Sequence, residues 1–144
     1  MNIEYPIAKS GRKSRASVVV RETPNGRVYD LDDRLVDFAV AIVDVVEMLP
    51  MTRAGNHLAG QLIRSGTSPA ANYAEAQGAE SRRDFIHKLR IALKELRETR
   101  VWLRIIARKG LLKSSDQGET VLRECEELIR IFAASIVTAT NKNR

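Results

Sequence analysis

Arg83, His87, Arg90, Lys94, Arg97, Arg104 and Arg108 recur at steps of three and four, with Val101 filling the one gap in the series. Steps of three and four place side chains on a single face of an α-helix. At about 1.5 Å of rise per residue the series makes a row of cations on the order of 37 Å long. Such a row has two chemical uses. Its guanidinium and ammonium groups can contact successive phosphates of a nucleic acid, or they can meet carboxylates on another helix of the same chain or of a neighbour. Nothing in the row points to reading of base sequence. No helix-turn-helix cue accompanies it, and stacking aromatics are few, with one Trp, three Tyr and three Phe in the chain. RNA or DNA held this way is expected to be bound through phosphates, with weak sequence preference and steep salt dependence.

Residues suited to catalysis are sparse and scattered. His57 and His87 fall on different expected helices, and neither has a companion three or four residues on that could share a metal. Cys125 lies in an apolar row, where a buried inert thiol is expected rather than a nucleophile. The glycines of "GNHLAG" have no strand before them and no Lys-Ser/Thr after them, so they make no phosphate loop. Glu75, Glu95 and Glu98 could line a site between helices, but the Glu-x-x-His pairs of di-metal bundles are missing. The expectation is therefore no enzyme, no metal and no cofactor. A single cysteine suits a reducing compartment, and no stretch approaches the roughly 20 apolar residues of a membrane span, so a soluble cytoplasmic protein without membrane contact is expected.

The elements that would position the basic row follow from the apolar residues. Phe85, Leu89, Ala92, Leu96, Thr99, Leu103 and Ile106 keep the same heptad rhythm and form the inward face of a helix over about residues 80–109, which Gly110 ends. The basic row lies five positions on, near 140° around that helix and away from its core face. Upstream, Leu35, Phe38, Ile42, Val45 and Leu49 form one row, and Val36, Ala39, Val43 and Val46 form a second beside it. Only a thin acidic strip of Asp33, Asp37, Asp44 and Glu47 remains, so this helix needs cover from its own bundle and from a neighbouring subunit.

In the next segment Leu58, Leu62, Ser65, Pro69, Asn72 and Ala76 are in register. Pro69 should either kink a long helix or open a new one with Ser68 as its cap, and Asn72 is expected to satisfy backbone carbonyls freed there. Tyr73 and Trp102 read as packing residues. A last helix is expected from Ser114, which has capping-box spacing to Gln117, with Leu122, Cys125, Ile129, Phe132 and Ile136 as its core row.

The fold class is then all-α, an antiparallel up-down four-helix bundle with a kinked second helix over residues 29–144. A basic extension, residues 1–28, precedes it with six basic and two acidic groups. A flexible arm is expected there, and Asn25-Gly26 between valine-rich runs would support a short hairpin as the alternative.

The net charge of the 144-residue chain is +6, but it is segregated by helix. Residues 80–109 hold ten Lys and Arg against four acids, whereas residues 29–49 hold six acids against Arg34, and residues 115–140 hold five against Arg123 and Arg130. Acidic helices could thus cancel the basic one within the fold or between subunits. Both uses of the row stay open on composition.

"YDLDDRLVDFAVAIVDVVEMLP", "RSGTSPAANYAEA" and "DFIHKLRIALKELRET", in a match from about Tyr29 to about Leu112, resemble the bacterial four-helix bundle proteins related to those encoded in intervening sequences of large-subunit ribosomal RNA genes. The resemblance implies an up-down bundle with a second helix kinked at Ser68 and Pro69, and assembly into a ring, a homopentamer. The chain is also similar to accessory proteins of diversity-generating retroelements, basic pentameric barrels that contact nucleic acid and a reverse transcriptase. No catalytic residues carry over. A non-enzymatic oligomeric accessory protein that binds nucleic acid through the row is the expectation, and a scaffold for subunit assembly or a protein partner is the alternative.

Overall fold

A computed structural model of the chain describes residues 21–22 and 28–142. Helix α1 spans Leu31–Met48, α2 Arg53–Gln77, α3 Arg82–Lys109 and α4 Ser115–Asn141. Before them, two-residue strands β1 (Arg21–Glu22) and β2 (Val28–Tyr29) pair antiparallel, with Arg21 opposite Tyr29 and Glu22 opposite Val28. The flexible arm expected from the sequence otherwise lies outside the described residues.

Local chemistry sets the ends of each helix. Asp30, in extended conformation, accepts the Asp32 amide at 2.9 Å, and Asp32 and Asp33 occupy the first turn of α1, where the helix dipole favours negative charge. Burial, then the nearby Asp30 and Asp33 carboxylates, push the Asp32 carboxyl above its usual range. Thr52 accepts the Gly55 amide at 3.0 Å to start α2, and Ser81 accepts the Asp84 amide at 3.0 Å to start α3. Gly110 ends α3 at a φ of 65°, a left-handed conformation that any side chain would strain. Ser114 takes the cap position of α4, but its side chain makes no capping hydrogen bond, so the capping box expected with Gln117 does not form.

Successive helices run antiparallel and pack side by side, and α4 returns to close the bundle against α1. All seven residues of the α3 apolar row are buried, as are Leu35, Phe38, Ile42, Val45 and Leu49 of α1. Two expected rows are corrected. In α2 the buried place goes to Tyr73 rather than Asn72; the ring lies edge-on to Phe132 with centroids 5.9 Å apart. In α4 the innermost row is Val121, Cys125, Leu128, Phe132, Ser135 and Ala139, whereas Leu122 and Ile136 are only half-buried. The apolar face of α4 is broad, and its true centre passes through Ser135, whose hydroxyl is satisfied by the Ile131 carbonyl at 2.6 Å.

Helix α2 runs without interruption through Pro69, which is buried, so no new helix starts at Ser68. Proline deprives the Ser65 carbonyl of its usual donor. Asn72 does not serve that carbonyl; its amide donates to the Ser68 carbonyl at 3.0 Å and to the Ser68 hydroxyl at 2.8 Å. At Gly66 the chain meets α1 so closely that a Cβ would stand 2.7 Å from Ile42 Cγ2. Ser65, Gly66 and Ile42 therefore lie at one level of the bundle. No helix among the described residues is long and apolar enough to cross a membrane.

Candidate nucleic-acid interface

The inward row of α3 fixes the direction of the outward one. With Phe85 through Ile106 buried, Arg83, His87, Arg90, Lys94, Arg97, Val101, Arg104 and Arg108 are all exposed. One surface of one rigid helix therefore carries every cation that the spacing singled out.

Ion pairing within the chain goes elsewhere. Arg34 of α1, only 11% exposed at its side chain, reaches Glu124 of α4 at 2.6 Å and lies 3.8 Å from Glu127. From α2, Arg64 reaches Glu95 at 3.2 Å and also binds Glu98, and Glu75 holds Lys88 at 2.8 Å. Among the described residues no carboxylate comes within ion-pair distance of Arg83, Arg90, Lys94, Arg97, Arg104 or Arg108. These pairs join α1 to α4 and α2 to α3, through cations outside the row, rather than an acidic helix to the basic one. The sequence carried a signal for the two arginines: Arg34 is the lone cation of residues 29–49, and Arg64 is the lone charge of residues 54–74. Which carboxylates they meet depends on packing between helices distant in sequence.

The two ends of the row differ. At its start, Arg82 turns inward and donates through Nε to the Ala139 carbonyl near the end of α4 at 2.7 Å, which leaves Arg83 pointing out. Ser81, Arg83, Asp84, His87 and Arg90 line one shallow depression, and Arg83, Ile86, Arg90 and Thr140 line a second between α3 and α4. Toward its finish, Val101 and Ile105 stand exposed among Arg97, Arg104 and Arg108. The exposed residues of the row are all polar in its first half, whereas the second half is mixed.

The polar residues around Pro69 form a structural group with α3. Ser65 and Thr99 are buried, their hydroxyls are bonded at 2.9 Å, and Thr99 also bonds the Glu95 carbonyl at 2.8 Å. Two polar groups in the core are thus satisfied across α2 and α3. Cys125 is fully buried with its Sγ 3.3 Å from the Leu96 carbonyl, and burial pushes the thiol up to about 12. His57 lies edge-on to Trp102, whose indole N–H donates to Glu98 at 3.3 Å. Glu95 and Glu98 are engaged by Arg64, and Glu75 by Lys88. Among the described residues no group of three or more His, Cys, Asp and Glu could hold a metal ion.

Comparison with known proteins bears on the chain as a whole. The family model described as 23S rRNA-intervening sequence protein matches residues 30–134. A crystal structure of a protein of unknown function from the S23 ribosomal protein family of Bacteroides thetaiotaomicron is 37% identical, with a TM-score of 0.68, and covers 74% of this chain and 97% of that one. No curated protein sequence matches the chain.

Proposed function

The chain belongs to the 23S rRNA-intervening sequence protein family, and from that premise we propose that it is a non-enzymatic, oligomeric accessory protein that binds nucleic acid through the outward face of α3. One observation carries this reading: along a row of exposed basic residues broken only at Val101, no Arg or Lys has a carboxylate partner among the described residues. Unpaired cations at a spacing of one helical turn suit a polyanion with regularly repeated charge. The family's description refers to 23S rRNA, which makes RNA the first polyanion to test. Contacts run from Arg83, His87, Arg90 and Lys94 on to Arg97, Arg104 and Arg108, and they are to phosphates, so sequence preference is weak.

A second reading, an assembly scaffold, is favoured by one observation: Val36, Val40 and Val43 are exposed on α1. The two readings are compatible if separate parts of the surface serve them.

The test is affinity for single-stranded RNA and duplex DNA of several sequences, measured across a salt series. Binding should fall steeply with salt and vary little with sequence. Replacing Arg83, Arg90 and Lys94 together by Glu should abolish it at moderate salt, leaving the helical circular dichroism unchanged. Replacing them by Gln should lower the log–log salt slope for single strands by about 2. Affinity indifferent to salt would refute the phosphate reading.

A further inference from the structure

Two acidic helices, α1 and α4, lie side by side in the bundle, and a shallow groove runs between them. Its floor is apolar, made by Phe38 and Ala41 of α1 and Val121 of α4, and Arg34, Asp37 and Glu124 line it as well. Asp33 and Asp44 stand four residues before Asp37 and seven after it, so all three share the face of α1 that borders α4. On α4, Asp116, Thr120 and Glu124 follow at steps of four, which puts Asp116 on the face turned to α1. Arg34, the cation in the groove, is already engaged by Glu124 and lies 3.8 Å from Glu127. Asp33, Asp37, Asp44 and Asp116 are exposed, and none of them is ion-paired among the described residues. Carboxylates on both edges of an apolar floor repel a nucleic acid and favour a cationic occupant with some apolar content.

The chain itself carries such a segment. Residues 1–20 hold Lys9, Arg12, Lys13 and Arg15 against the single acid Glu4, and they end in Val18, Val19 and Val20. Where they join the described structure is fixed by the strand register. With Arg21 opposite Tyr29 and Glu22 opposite Val28, the chain followed back from Arg21 runs beside Tyr29 toward Asp30 and the start of α1. The reach is sufficient. Asp33 to Asp44 spans about 17 Å of helix axis, and at about 3.3 Å per extended residue Arg15, six positions before Arg21, reaches up to about 20 Å. The order also matches, because the valines nearest Arg21 come level with Phe38 and the cations before them come level with Asp37, Asp44 and Asp116.

We propose that residues 1–20 dock in the groove between α1 and α4 of their own chain, with the valines over its apolar floor and the cations against its aspartate edges. Being tethered at Arg21, the segment meets its site at a high effective concentration, so contacts that are weak singly suffice to hold it. Docking also decides where the charge of the segment goes. Its four cations cancel the acidic side of the bundle instead of extending the basic row, which leaves α3 to dominate the field that a polyanion meets. No residue of the α3 row takes part, so the inference stands or falls separately from the nucleic-acid reading.

Limited trypsin digestion of the full chain at low salt, read by mass spectrometry, reports on the segment through cleavage after Lys9, Arg12, Lys13 and Arg15. The variant Asp37→Asn with Asp44→Asn keeps side-chain size at two exposed positions, and circular dichroism checks that it is folded. Cleavage should be several-fold faster in the variant than in the unaltered protein, because it tracks the undocked population. The difference should disappear near 1 M salt, where the screening length is about 3 Å. Zero-length carbodiimide coupling of the unaltered protein should join Lys9 or Lys13 to Asp33, Asp37, Asp44 or Asp116, in chains that keep the 16.1 kDa of one copy under denaturing conditions. Three results overturn the proposal: equal cleavage rates in the two proteins at low salt; coupled chains of doubled mass, which would seat the segment on a second copy; or cleavage slowed only by added RNA, which would give these cations to nucleic acid.

Discussion

At the scale of single residues the bundle interior is mostly apolar, and its few polar atoms are satisfied locally. The Ser65 and Thr99 hydroxyls bond each other, and the Cys125 thiol points at the Leu96 carbonyl. Two buried groups tie this interior to pH. Burial raises Cys125 from 9.0 to about 12 and Tyr73 from 10.0 to about 12. Below pH 9.0 both are protonated whether the chain is folded or not, and their contribution is fully present. As pH rises through the window from 9.0 to about 12, the unfolded chain releases the Cys125 proton while the folded chain keeps it. Stability then falls with pH, by up to about 1.4 kcal/mol per unit for each such group. Urea unfolding should therefore give a midpoint that is level from about pH 7 to about pH 8.5 and that declines above pH 9.0, with Tyr73 joining above pH 10.0. Cys125→Ala should flatten the first part of that decline. An unchanged slope in the variant would mean that the thiol ionises without opening the core.

At the scale of elements, the helix ends differ in a way that the sequence shows only in part. Ser81 and Ser114 are both N-cap residues, but only Ser81 accepts a backbone amide through its side chain. Ser81→Ala should cost about 1 kcal/mol in chemical denaturation, and Ser114→Ala no more than a few tenths. Equal costs would show that the Ser114 hydroxyl caps α4 in solution. The contrast illustrates what was legible in the residues. The α3 rows were readable because Phe85 to Ile106 form a narrow apolar line with charged residues on most other sides, so the phase has one solution. In α4 the expected row held at Cys125, Ile129 and Phe132 but missed at Leu122 and Ile136, which are as apolar as Val121 and Leu128, because a wide face leaves its centre undetermined. Asn72 was misplaced for a related reason: it adjoins the packing residue Tyr73, and the register past Pro69 decides which of the two turns inward. The outward direction of the basic row was thus legible, whereas the pairing of Arg34 and Arg64 with distant carboxylates required the packed bundle.

At the scale of the whole molecule, charge is separated onto opposite sides, and that separation has a cost. Arg90, Lys94 and Arg97 follow at steps of four and three on a helix face, and none of them lies at ion-pair distance from a carboxylate among the described residues. Like charges at such steps destabilise a helix by about 0.2–0.5 kcal/mol per pair. Lys94 takes part in two of these pairs, one with Arg90 and one with Arg97. In a fold selected for stability alone a neutral residue would serve better at that position, so the lysine is best explained by what the face binds. Lys94→Gln should accordingly raise stability by about 0.2–0.5 kcal/mol at low ionic strength, because relief of two repulsive pairs outweighs loss of the attraction to Glu98 one turn on. The gain should vanish near 1 M salt, where the screening length of about 3 Å is shorter than the distance between neighbouring groups. The same substitution should weaken RNA binding, so stability and affinity move in opposite directions. If Lys94→Gln instead leaves stability unchanged at low salt, its charge is already neutralised in the assembled protein.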